Sequence, residues 1–152
     1  MGEKAVSEHV IHSQLYGELR PDEHQVYHFH QGIVGFSHLQ QFALLPYEDS
    51  QLFILQAFYE ELSLLLIPAT SCANAADFHI DDEVVSALGI EKEEDVVAFY
   101  IMRFIDNEAY INLKAPILIV PSTQKGCQYV IVDDKVQVRE RLIMAGEADA
   151  RS

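Results

Sequence analysis

The chain has 152 residues and a formal net charge of −14, from 24 Asp and Glu against 10 Lys and Arg. That length allows one domain to bury roughly two-thirds of its unfolded surface without disulfides or metal, and a composition 49% apolar and 22% charged excludes wholesale disorder. Such an acid surplus repels phosphate backbones, which argues against direct nucleic-acid binding; it would attract a basic partner, although on charge alone the favoured reading is that it keeps the protein soluble.

At the N-terminus, Glu3, Lys4, Glu8 and His9 are followed by no long apolar segment, so no secretory leader is readable. Val6 also breaks the Met-Gly-x-x-x-Ser/Thr pattern of myristoylation. The most apolar stretch, residues 62–69, holds eight residues where a membrane helix needs ~20. A cytoplasmic protein that spans no membrane is expected. Cys72 and Cys127 lack Cys-x-x-Cys spacing and are expected to be reduced.

Apolar residues come in short runs broken by turn chemistry every 8 to 15 residues, which predicts many strands in a sandwich or barrel. Residues 10–19 and 25–30 are expected to pair as a hairpin across Arg20-Pro21-Asp22-Glu23-His24. Gly32 and Gly35 then bracket Ile33 and Val34 in a loop where the chain leaves the sheet. Residues 42–46, 52–58 and 62–67 read as a three-strand meander whose Leu, Ile and Phe content on both faces implies burial from both sides. Residues 81–88 are the best helix candidate, with Asp81, Asp82 and Glu83 favouring the helix dipole and Gly89 as the stop.

After the acidic run Glu91-Lys92-Glu93-Glu94-Asp95, residues 96–105 predict a long strand. Further strands are expected at 110–114, 117–120, 127–132 and 136–142, followed by a mobile tail over 144–152. The fold class is therefore mainly β: one domain over 1–152, ordered over about 10–142, as an antiparallel barrel-like fold with one or two short helices. Strand alternation assigns Phe29, Phe36, Leu44, Phe53, Leu55, Leu65, Val97, Phe99, Ile101, Ile117 and Ile131 to the core.

Catalytic chemistry finds little foothold. His28 and His30 point to one side of a strand, with His12 as a conceivable third ligand, but two donors make no metal site and no metal or cofactor is assigned. Nucleophile elbow, zinc-protease, Walker and dinucleotide motifs are absent from the sequence. Cys72 has no neighbouring base, and the carboxylates fall in charge runs of the kind usually found on solvated surface.

Tyr27-His28-Phe29-His30-Gln31-Gly32-Ile33-Val34-Gly35-Phe36, Phe42-Ala43-Leu44-Leu45-Pro46, Phe53-Ile54-Leu55-Gln56 and Asn112-Leu113-Lys114-Ala115-Pro116-Ile117, in that order, resemble the FliW family of bacterial flagellar assembly factors. The likeness runs from about residue 10 to 142 and includes Glu91-Lys92-Glu93-Glu94-Asp95-Val96. Two departures stand out: Val34 replaces the usual proline of Gly-Ile-Pro-Gly-Phe, and Val120-Pro121 replaces Ile-Asn.

The resemblance implies a compact barrel-like fold, no catalysis and two protein partners. Cytoplasmic flagellin holds such a protein; once flagellin is exported, the freed factor binds the basic RNA-binding repressor CsrA and relieves repression of flagellin synthesis. For that partner, Asp81, Asp82, Glu83, Glu91, Glu93, Glu94 and Asp95 are expected to form an electrostatic face. Ile33, expected to be exposed in the 32–36 loop, supplies an apolar anchor. The alternative class is a small-ligand β-barrel, which a buried apolar cavity of roughly 300 Å³ or more would favour; a metal-dependent enzyme ranks third.

Overall fold

The computed structural model describes residues 10–146. The N-terminal residues weighed above and most of the tail over 144–152 lie outside this range. Where the tail begins it is packed: Met144 bridges Cys72 in antiparallel fashion, and Ala73 N–H donates to Ile143 O at 2.7 Å.

The first expected strand pair is different in the structure. β1 (Ile11–Ser13) pairs with β2 (Gly17–Leu19) in a hairpin of its own. The turn forms because Ser13 Oγ accepts from Leu15 N–H and Tyr16 N–H at 3.2 and 3.0 Å, and Gly17 adopts φ +78°. β3 (Val26–His28) pairs instead with β4 (Gln41–Pro46). The predicted meander is present as β4, β5 (Phe53–Ala57) and β6 (Ser63–Pro68).

α1 (Asp82–Leu88) has Asp81 at its N-cap and Gly89 in the left-handed conformation at its end. The long strand β7 (Val97–Ile105) follows and turns through Asp106 and Asn107, both at positive φ, into β8 (Glu108–Ile111). β9 (Ile117–Val120), β10 (Lys125–Gln128) and β11 (Glu140–Arg141) complete the chain.

Three of the expected late strands have different bounds. β8 stops before 112 because Asn112 Oδ1 accepts from Lys114 N–H and Ala115 N–H and turns the chain. β10 begins at 125 because the turn closes at Gln124, φ +55°. Tyr129 and Ile131 nevertheless continue alongside Pro116 and Lys114 through backbone bonds of 2.9 and 2.7 Å. The strand expected over 136–142 shrinks to β11, since Asp133 takes the chain into a turn by accepting from Lys135 and Val136 N–H.

The strands β7-β6-β5-β4-β3-β10-β9 are hydrogen-bonded in that order, and β9 returns to β7, closing a seven-stranded barrel. Pairing is antiparallel except at β3 and β10, which meet in parallel at one register position, His28 with Lys125. β9 and β8 lie one after the other along the same edge of β7, pairing with 97–99 and 102–105 respectively. The outer half of β7 thus leaves the barrel and carries β8 and β11 as a small sheet extension.

Strand alternation sends Phe42, Leu55, Ala57, Leu66, Phe99, Ile117 and Ile119 into one cluster inside the barrel, with Tyr27, Phe29, Ile33 and Leu39. The opposite faces build two further clusters. Ile67, Tyr100, Met102 and Ile111 pack beneath the segment that carries Leu142 and Met144. Leu118 and Val120 pack under α1 through Leu88 and Val84.

Of the expected core, Phe29, Leu55, Phe99, Ile117 and Ile131 are buried, and Leu44, Phe53, Leu65 and Ile101 are half-buried. Phe36 and Val97 are exposed instead, Phe36 because its turn leaves the sheet and Val97 because it begins its strand at the barrel rim. No described helix is long and apolar enough to cross a membrane.

Candidate protein-binding surfaces

The residues expected to form the acidic face lie at the start of α1 and just past its end, and α1 packs on Leu118 and Val120 of the barrel. Asp81, Asp82 and Glu83 are exposed at the start of α1, and Glu91, Glu93 and Glu94 are exposed just past its end. The helix between them is seven residues, or about 10 Å, long. Both ends are fastened to the barrel. Tyr129 Oη accepts from Asp81 N–H at 3.1 Å and donates to His79 O at 3.0 Å, and Thr123 Oγ1 donates to Leu88 O at 2.7 Å.

Within this group Asp95 differs from the rest. It is half-buried, and its carboxylate accepts from Glu91 N–H and Lys92 N–H at 2.9 and 3.1 Å. Those backbone donors hold its pKa below the usual carboxylate value. Asp95 therefore shapes the 91–95 turn, while its neighbours face solvent. Glu83 stands apart in another way, on the wall of a groove of about 610 Å³ shared with His28, His30 and Lys125.

The loop expectation needs correction. Ile33 is not exposed; at 4% it belongs to the barrel cluster. The cause is a tight turn in which Phe36 N–H donates to Ile33 O at 2.6 Å and Gly35 takes φ +88°. That geometry folds Ile33 inward and leaves Val34 at the tip, 66% exposed. Gly32, φ +66°, is required as well: a Cβ there would strike Phe36 O, and Ser37 Cα at 2.8 Å. At the tip, Val34 N–H donates to Gln128 Oε1 at 2.8 Å, so the valine found in place of proline uses a donor that proline lacks.

The remaining candidates are placed as follows. β1 pairs with β2, so His12 is not on the partner strand of His28; His30 is not on that strand either, because β3 ends at His28 and His30 lies in the turn beyond it, its ring 6.4 Å from that of His28. Among the described residues no group of three His, Cys, Asp or Glu is arranged to hold a metal ion. Cys72 is buried, with its thiol facing Pro68 O at 3.6 Å, and burial pushes both Cys72 and Cys127 up to about 11. Both thiols are accordingly protonated at neutral pH, a poor state for a nucleophile.

The profile of the family described as FliW protein matches residues 10–142. This chain belongs to the FliW family. It is 29% identical over 137 residues to the flagellar assembly factor FliW of Caldicellulosiruptor saccharolyticus, covering 88% of this chain and 90% of that one. The flagellar assembly factor FliW of Geobacillus kaustophilus is 31% identical over 135 residues, 87% of this chain and 94% of the relative. A crystal structure of the flagellar assembly factor FliW superposes with a TM-score of 0.80 at 28% identity, covering 87% of this chain and 95% of that chain. The mainly β barrel expected from the resemblance is thus the fold of a solved FliW.

Sequence reasoning missed the roles of Gln124 and Gln128. Gln124 Nε2 donates to Glu23 O and Val26 O at 2.6 and 2.9 Å, stitching β3 to the turn before β10. Glutamine in a turn carries no signal of such a role.

Proposed function

We propose that this FliW-family chain is a non-catalytic, cytoplasmic regulator of flagellar assembly that binds flagellin and, when free, binds and antagonises a CsrA-like RNA-binding repressor. Membership of the family over residues 10–142 carries the proposal. The exposed carboxylates at both ends of α1 add a physical argument, because a repressor that holds RNA presents a basic surface that a −14 chain attracts. Binding there would set acid against the phosphate backbone and favour release of the messenger.

The test mixes the chain with purified repressor bound to a labelled flagellin leader RNA and follows RNA release by gel shift. The chain should free the RNA, and added flagellin should restore the repressor–RNA complex. RNA that stays bound at saturating chain would sink the proposal. In the barrel interior Phe29, Phe42, Leu55, Leu66 and Ile117 belong to one cluster at 0% exposure, which supports protein recognition over the small-ligand alternative.

A further inference from the structure

Although the chain is strongly acidic, one groove reverses that sign. It lies between the 33–36 turn and the sheet extension, encloses about 420 Å³, and has Arg103 and Arg139 but no Asp or Glu among its described lining residues. Arg103 on β7 is the register partner of Tyr110 on β8, so both side chains stand on one face. Arg139 lies over the Tyr110 ring, its Cζ 5.9 Å from the centroid.

Among the described residues neither guanidinium has an ion-pair partner. The nearby Glu108 turns Oε1 to Arg141 Nε at 3.7 Å and accepts there from Tyr110 Oη at 3.3 Å. A guanidinium held at that distance over an aromatic ring by cation–π attraction keeps its N–H fork available to a carboxylate. The same groove carries exposed apolar surface from Val34, Phe36 and Val138, at 66, 36 and 62%. Isolated apolar side chains on a surface need no explanation, but three beside two arginines that have no ion-pair partner among the described residues combine an apolar anchor with carboxylate recognition.

We infer that this groove receives a segment of a partner protein in which apolar side chains alternate with carboxylates. The inference rests on the two-partner reading above and deepens it. A basic repressor is repelled by Arg103 and Arg139 and attracted by the α1 side, which leaves the groove to flagellin.

Two measurements separate this inference from the reading it rests on. The first titrates the labelled chain with a short amphipathic peptide of leucine and glutamate, and with its lysine-for-glutamate counterpart, followed by NMR. The glutamate peptide should move the amide resonances of Val34, Phe36, Arg103 and Tyr110, and the lysine peptide should not. Shifts elsewhere, equal shifts with both peptides, or shifts at these residues that depend on chain concentration without peptide, which would mark a second copy as the occupant, overturn the inference.

The second compares wild type with Arg103→Glu/Arg139→Glu for binding to purified flagellin and repressor. The exposed double variant should weaken flagellin binding by about tenfold or more and leave repressor binding unchanged or tighter. Flagellin binding within about twofold of wild type overturns the assignment of the groove to flagellin. A wild type that binds neither protein refutes the two-partner reading, while the peptide titration still decides what the groove recognises.

Discussion

Burial of Ile33 changes which substitution probes the 33–36 turn. Ile33→Ala removes a side chain from the barrel cluster and should cost about 2–4 kcal/mol in urea denaturation. A loss of binding in that variant would therefore report unfolding as readily as recognition. Val34→Asp leaves the Val34 N–H bond to Gln128 in place, because the donor is backbone, and changes only the exposed tip. Its stability should stay within about 0.5 kcal/mol of wild type, while binding in the adjacent groove falls. A large drop in melting temperature for Val34→Asp would contradict the exposed placement.

At the scale of elements, α1 is a seven-residue helix, too short to persist without its contacts. Its C-terminal carbonyl at Leu88 depends on Thr123 Oγ1. Thr123→Val should cost about 1 kcal/mol in chemical denaturation and speed hydrogen exchange along 82–88, with the barrel strands unaffected. Uniform exchange across helix and barrel would mean that α1 unfolds only with the whole protein.

The elements that strand alternation and turn chemistry specify locally were legible in the sequence: the β4–β6 meander, β7, and α1 with its Gly89 stop. Those misread depend on contacts that sequence spacing does not encode. Residues 10–19 look like one strand until Ser13 Oγ captures two backbone donors, and 110–114 look extended until Asn112 turns the chain. The acidic candidates were legible as charge runs, but nothing in the run distinguishes Asp95, whose carboxylate serves the backbone, from its solvated neighbours. Ile33 was misplaced because the residues bracketing it read equally well as an exposed loop and as a turn that folds its first side chain inward.

The molecule as a whole should respond to pH asymmetrically. Burial raises the pKa of Tyr27, Tyr100 and Tyr129, and of Cys72 and Cys127 to about 11. Between the ordinary thiol value of 9.0 and about 11, the unfolded chain has lost protons that the folded chain keeps, so stability falls as pH rises through that window. Asp95 acts at the other end. Its lowered pKa gives a contribution that is present above its ordinary 3.8 and lost as pH falls through the folded value. Urea midpoints measured from pH 3 to 11 should show a plateau between these flanks; a midpoint that climbs from pH 9 to 11 would contradict the placement of the cysteines.

Net charge acts at the same scale. Reversing Glu91, Glu93 and Glu94 to lysine should slow association with a basic repressor at low salt and leave the circular dichroism unchanged, because exposed pairs are individually worth only ~0–1 kcal/mol and act through the summed field. Unchanged association kinetics would put the interface elsewhere.

A closed barrel opens at least cost where its hoop is thinnest, and here that place is the parallel meeting of β3 and β10. His28 N–H reaches Gln124 O at 2.9 Å beside one register pair, while β4 and β5 share five. Gln124 and Gln128 act as two side-chain stitches across the gap, the second tying it to the Val34 tip. A partner that grips Val34 would pull on the same thread, so docking in the groove would register as slowed amide exchange at His28, on a strand that the partner need never touch.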